Sequence, residues 1–111
     1  MNELPAGSIV SVYAVFADAE EAQRIGRAMV EQRLAACVNI LGACRSIYRW
    51  HGKIEEAEEV AAIFKTTAGE AAVLIGAIAR LHSYDVPCAV AWPIGEAPEP
   101  YRAWVIENSG R

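Results

Sequence analysis

A chain of 111 residues with a 54% hydrophobic fraction is long enough for one buried core and too apolar to be disordered. Its 14 acidic and 10 basic residues give a formal net charge of −4, and the arginines are scattered, which argues against a nucleic-acid patch. No stretch has the length of a membrane span, and Glu3 stands where a secretory leader needs basic residues.

The cysteines, Cys37, Cys44 and Cys88, are odd in number and show no Cys-x-x-Cys spacing. That pattern fits reduced thiols in a cytoplasm better than a disulfide framework. Much of the apolar fraction is alanine, which buries little area per residue, so a single domain over 1–111 has reason to oligomerise.

Pro5 and Gly7 make Met1 to Gly7 a loose lead-in. Ser8 to Phe16 has β-formers on both alternating faces, the signature of a buried central strand. Asp18 can cap a helix, with Glu21 completing a capping-box-like spacing, and Ala22, Ile25, Ala28, Met29 and Gln32 carry the helical period to about Gln32 or Arg33. Gly26 inside that helix calls for a close approach to another element.

Cys37 to Trp50 is rich in β-branched and aromatic residues, with Gly42 a candidate bulge. His51-Gly52 can close a hairpin. The returning arm, Lys53 to Thr66, is ambivalent. Ile54, Ala57, Val60, Ala61 and Phe64 also fit a helical stripe, while pairing across the turn favours a strand. Its acidic run, Glu55-Glu56-Ala57-Glu58-Glu59, reads as a solvated face or, more sharply, as a cation-attracting surface.

Thr67 and Glu70 open a second helix with an apolar stripe at Ala71, Leu74, Ile75, Ile78 and Leu81, ending near His82 to Asp85 before Pro87. Cys88 to Trp92 is a short strand. Pro98 to Tyr101 opens a last helix in which Tyr101, Trp104 and Val105 share a face. The order β-α-β-β-α-β plus a helix is the ferredoxin-like α+β pattern with a long β2-β3 hairpin.

Several motifs together resemble one family. They are Arg33-Leu34-Ala35-Ala36-Cys37-Val38-Asn39-Ile40, Ser46-Ile47-Tyr48-Arg49-Trp50, Gly52-Lys53-Ile54 and Phe64-Lys65-Thr66, with His82, Tyr84, Val86, Pro87 and Tyr101-Arg102-Ala103-Trp104. They look like the CutA divalent-cation-tolerance proteins. The resemblance implies a ferredoxin-like homotrimer, similar in fold to the PII-type signal proteins, in which long strands pair between subunits. It also implies a link to divalent cations, copper foremost. In the family's metal-binding members a strand-one cysteine and two adjacent histidines are the proposed ligands. Here those positions are Ala14, Leu81 and His82, and the family glutamate after the proline is Cys88.

His82 is therefore the candidate metal ligand for Cu(II) or another divalent cation, with Asp85 and Cys88 near it in the chain. His51, in the turn, is expected in solvent. Trp50, Lys65 and Tyr84 match family positions and suit an inter-subunit pocket for a small anion or a partner protein, with Glu59 a possible charge partner for Lys65. No Gly-rich phosphate loop and no defensible Ser/His/Asp or Cys/His arrangement is present, so no catalysis is expected. Three readings follow: a cytoplasmic trimer of metal-ion homeostasis, a PII-like regulatory trimer with a ligand or partner in the crevice, and a scaffold without a ligand.

Overall fold

In the computed structural model, β1 (Ile9–Phe16), α1 (Ala19–Glu31), β2 (Cys37–Trp50), β3 (Lys53–Thr67), α2 (Ala71–Leu81), β4 (Ala89–Pro93) and α3 (Glu99–Asn108) follow one another in the chain. The described residues are Leu4, Pro5 and 7–110, so most of the expected lead-in lies outside them. The strands form one antiparallel sheet in the order β2-β3-β1-β4. This is the ferredoxin-like α+β arrangement.

β1 pairs on both sides, with β3 and with β4, and its alternate residues Val10, Val12, Ala14 and Phe16 are fully buried. They meet the apolar stripes of α1 and α2 in the main core, with Ile25, Met29, Leu74 and Ile78. α3 lies on the opposite face of the sheet and closes a smaller cluster of Ile9, Ala36 and Val105. It covers one end of that face only. The shared face expected for α3 holds for Val105 and in part for Tyr101, but Trp104 is exposed.

The local signals act through identifiable atoms. Asp18 caps α1 by accepting from the Glu21 N–H at 2.9 Å. Glu21 does not return the bond to Asp18 as a capping box would; its Oε1 accepts from the Ala17 N–H at 3.0 Å. α1 ends at Glu31, one residue short of the expected range, because Arg33 turns left-handed at φ 61. The Arg33 N–H reaches Val30 O and the Leu34 N–H reaches Met29 O, both at 3.0 Å. This is a Schellman closure with arginine where glycine is usual. The Arg33 guanidinium then donates to the carbonyls of Gly110 and Glu107, and Gly110 N–H returns a bond to Arg33 O.

The ambivalent arm is a strand throughout. Val60, Ala62, Phe64 and Thr66 alternate into the core, and β2 partners β3 from Cys37↔Lys65 to Trp50↔Lys53. The two turn residues, His51 at φ 50 and Gly52 at φ 79, are both left-handed, the conformation that matches the twist of a tight hairpin. Two-strand pairing and core burial together override a composition that locally favours helix. In α2, Leu81 leaves the expected apolar stripe and is 44% exposed. Cys88 falls just outside β4, which starts at Ala89, and is exposed rather than a buried strand residue.

Gly26 is where α1 comes closest to β2. A Cβ there would lie 3.1 Å from Val38 Cγ1. Gly26→Ala gains about 1 kcal/mol of helix propensity but must displace Val38. We expect the substitution to be more favourable in a Val38→Ala background by about 0.5–3 kcal/mol. Urea unfolding of the four proteins at one concentration measures this coupling, and strict additivity would show that the contact is not limiting.

Candidate functional site

β3 extends further than β1. Their pairing stops at Phe16↔Val60, while β2 and β3 continue together as a two-stranded ribbon to the turn. Glu59 is the first β3 residue beyond that fork. The segment from His82 to Cys88, between α2 and β4, fills the space past the end of β1, and Val15 N–H donates to Cys88 O at 3.3 Å. Between this segment and the ribbon is a cleft of about 470 Å³ on the sheet face that α3 leaves uncovered. From β2 it is lined by Ser46, Tyr48 and Trp50, and from β1 and β3 by Val15 and Glu59. Tyr84, Asp85, Val86 and Cys88 supply the other wall.

The strand pattern explains this lining. Leu41 is an unpaired extra residue between Ile40↔Ala62 and Gly42↔Ala61, and Gly42 takes φ 104. The bulge reverses which residues of β2 face which side. Before it, Val38 points to α1, while Cys37 meets Tyr101 of α3, with Sγ 3.7 Å from the phenol oxygen. After it, Cys44 pairs with Glu59, so Ser46, Tyr48 and Trp50 share the Glu59 face.

Tyr84 donates its O–H to Glu59 Oε2 at 2.7 Å. Burial first, then this bond and the nearby negative charges, raise the Tyr84 phenol well above its ordinary range. The Cys88 thiol, although exposed, is also pushed up, by partial desolvation and then by Glu59.

His82 stands behind this wall. Its side chain is fully enclosed, and its ring stacks on Phe16 with centroids 5.3 Å apart. Nε2–H donates to Val15 O at 2.7 Å, and Nδ1 accepts from the Tyr84 N–H at 3.1 Å. Both ring nitrogens are thus committed to the backbone. In this arrangement the ring of His82, the expected metal ligand, directs no lone pair outward. Ala14 is fully buried under the helices, and Leu81 projects into solvent. Among the described residues no group of three or more His, Cys, Asp or Glu side chains is placed to hold a metal ion. The donor set therefore does not fit a tight metal site within one chain.

The second expected constellation is also divided. Trp50 and Tyr84 share the cleft, but Lys65 does not. It sits six residues from Glu59 along β3, about 20 Å away at strand spacing, and its Nζ donates to Asn39 Oδ1 at 3.1 Å. The charge partner assigned to Lys65 is instead the acceptor for Tyr84. Tyr48 and Ser46 were missed as lining residues, although their spacing of two from Trp50 is visible in the sequence. His51 is exposed, as expected, and meets the Trp50 ring edge-on.

Residues 10–108 match the family model described as CutA1 divalent ion tolerance protein. The Thermus thermophilus divalent-cation tolerance protein CutA is 45% identical over 91 residues, covering 82% of this chain and 88% of that one. Its solved structure has a TM-score of 0.89, over 92% of this chain and 99% of its own. Mouse protein CutA is 37% identical over 94% of this chain, which spans 62% of the mouse protein's length. A structure described as the periplasmic divalent cation tolerance protein CutA from Archaeoglobus fulgidus is 37% identical, with TM-score 0.87 over 90% of this chain and 97% of its own. The fold and the ribbon signature thus define a ferredoxin-like protein of the divalent-cation-tolerance class. This chain belongs to the CutA1 divalent ion tolerance family.

Glu21 ties the cleft wall to the core, since its Oε2 accepts from the Ser83 N–H at 2.9 Å. Burial opposes its charge, but the bonds from Ala17 and Ser83 outweigh burial and hold the carboxyl below its ordinary value. A carboxyl depressed on folding contributes stability above its unfolded pKa and loses it as pH falls through the folded one. Glu21→Gln is expected to cost about 1–3 kcal/mol at neutral pH. The difference from the parent should shrink below about pH 5. Denaturant midpoints from pH 7 to pH 3 measure it, and a constant difference would remove Glu21 from the acid response.

Proposed function

We propose that this chain serves in divalent-cation tolerance, with copper the foremost ion, as a cytoplasmic homotrimer without catalytic activity. Family membership over 10–108 carries the reading of cation tolerance. The trimer is supported by the sheet edges. β2 is a 14-residue edge strand, and Leu41, Ile47, Trp50, Ile54 and Trp92 are exposed around the ribbon and β4. A long two-stranded ribbon is marginal alone, and pairing with another copy would cover it. The cytoplasm suits three free cysteines. No helix among the described residues is long and apolar enough to cross a membrane.

The lack, among the described residues, of three or more side chains placed to hold a metal ion favours weak cation contact, or ligands contributed by more than one subunit, over a tight single-chain site. Titration of the assembled protein with Cu(II) tests this. We expect saturable, weak binding whose stoichiometry is unchanged in His82→Ala. That variant should instead lose about 2–4 kcal/mol of stability through its cavity and the two stranded backbone groups. Loss of copper binding with unchanged stability would return His82 to the ligand set. No binding above nonspecific levels would end the direct-binding reading.

Sedimentation equilibrium checks the assembly, with an expected mass about three times the 12.0 kDa of one chain. A single-chain mass that persists at micromolar concentration would overturn the trimer.

A second reading, favoured by the cleft between the ribbon and residues 82–88, is a regulatory trimer whose cleft takes a small molecule. Within one chain Lys65 lies at the far end of β3 and bonds to Asn39, so an anionic ligand held by Trp50, Tyr84 and Lys65 would need the lysine of a second subunit.

A further inference from the structure

Two opposite charges stand on one side of β3 and cannot meet within a single chain. Glu59 is only 8% exposed, and Tyr84 holds its Oε2. Its Oε1 accepts no hydrogen bond among the described residues, although Glu59 lines the cleft. Lys65 is half-buried further along the strand, about 20 Å away at strand spacing. Neither forms an ion pair among the described residues. Both belong to the open side of the sheet. Lys65 partners Cys37, whose thiol meets Tyr101 of α3, and Glu59 lies at an even spacing from it. The Lys65 ammonium gives one N–H to Asn39 Oδ1, which leaves it two donors.

The trimer lays a second copy against this side and removes the water that remains around Glu59. A carboxylate enclosed in that way needs a donor. The candidates on the open side are few. By strand alternation its other charged residues are Lys53 and Glu55, both exposed near the ribbon tip, while Asp85 is exposed in the 82–88 segment. Arg45 and Arg49 lie on the other side of the ribbon, where Arg45 pairs with Glu56. We infer that Lys65 of one copy enters the cleft of the next and pairs there with Glu59. Val15, Val86 and the Tyr84 ring line the cleft beside Glu59 and suit the methylene stem of a lysine, with its ammonium at Oε1. In a closed ring each copy both gives and receives this contact. The inference rests on the trimer reading and specifies the ion pair that sets one copy against the next.

The test follows subunit exchange between isotopically labelled and unlabelled protein by native mass spectrometry. Glu59→Gln keeps an acceptor for Tyr84, and Lys65→Met keeps the apolar stem. Each is expected to speed exchange about tenfold, because the opposite charge is left enclosed and unpaired. The double variant is expected to exchange more slowly than either single one. Groups so far apart in one chain act independently, so this coupling requires contact between copies. A carbodiimide, which joins a carboxylate to an amine at ion-pair distance, is expected to link the peptides carrying Glu59 and Lys65. Accelerations that simply multiply in the double variant would overturn the pair and leave the trimer standing. A link from Lys65 to Asp85, or from Glu59 to Lys53, would overturn it in the same way. A single-chain mass in sedimentation equilibrium would remove the trimer and the pair together.

Discussion

β3 bonds to β2 along nearly its whole length and to β1 along only its second half. Everything distinctive in the molecule depends on this mismatch. Where three strands run together, alternate residues are buried under α1 and α2 and the core is formed. Where β1 stops, the ribbon continues unsupported, and the chain must fill the vacant position beside it. The His82–Cys88 segment does so, and a cleft remains because an irregular segment cannot continue the ladder. Glu59 stands at the fork, so a carboxylate that would be solvated further out on the ribbon is almost enclosed.

The same geometry explains why a histidine at a family ligand position behaves as a structural residue. The carbonyl of Val15, at the end of β1, needs a donor once the ladder ends, and His82 Nε2–H supplies it. The Tyr84 N–H, in a segment with no strand partner, needs an acceptor, and Nδ1 supplies that. Glu21 does the equivalent for Ser83 and Ala17. Two side chains thus satisfy four backbone groups that regular structure leaves over. Turning His82 toward a metal would break both of its bonds and leave those groups unpaired in a buried place.

The order of elements was legible because caps, breakers and turn residues mark the boundaries: Asp18, His51-Gly52 and Pro98 act where their chemistry suggests, while Thr67, expected to cap α2, ends β3 and bonds the Glu70 N–H in the turn before the helix, whose N-cap is Glu70. The state of Lys53 to Thr67 was not legible locally, since glutamate and alanine favour helix and only pairing with β2 makes the strand. The site was half legible. Trp50 and Tyr84 come together as their family positions suggest, but motif membership says nothing about distance along a strand. Within one chain Lys65 is therefore apart from the residues it was grouped with, and Glu59 bonds to Tyr84 instead. Similarly, His82 looked like a ligand because a sequence shows a side chain's type and not whether its nitrogens are already used.

The extra residue at Leu41 has a consequence beyond bending the strand. Residue spacing in β2 decides side by parity, and the bulge resets that parity once, upstream of Ser46, Tyr48 and Trp50. Loss of that residue would leave Ile40↔Ala62 followed directly by Gly42↔Ala61, a regular ladder, with Ser46, Tyr48 and Trp50 opposite the same β3 partners and on the same face as Glu59. A relative one residue shorter at this point can thus present the same surface from a straighter strand. What specifies the site is the pairing of Cys44 with Glu59, and the bulge is the device that lets a strand one residue longer keep it.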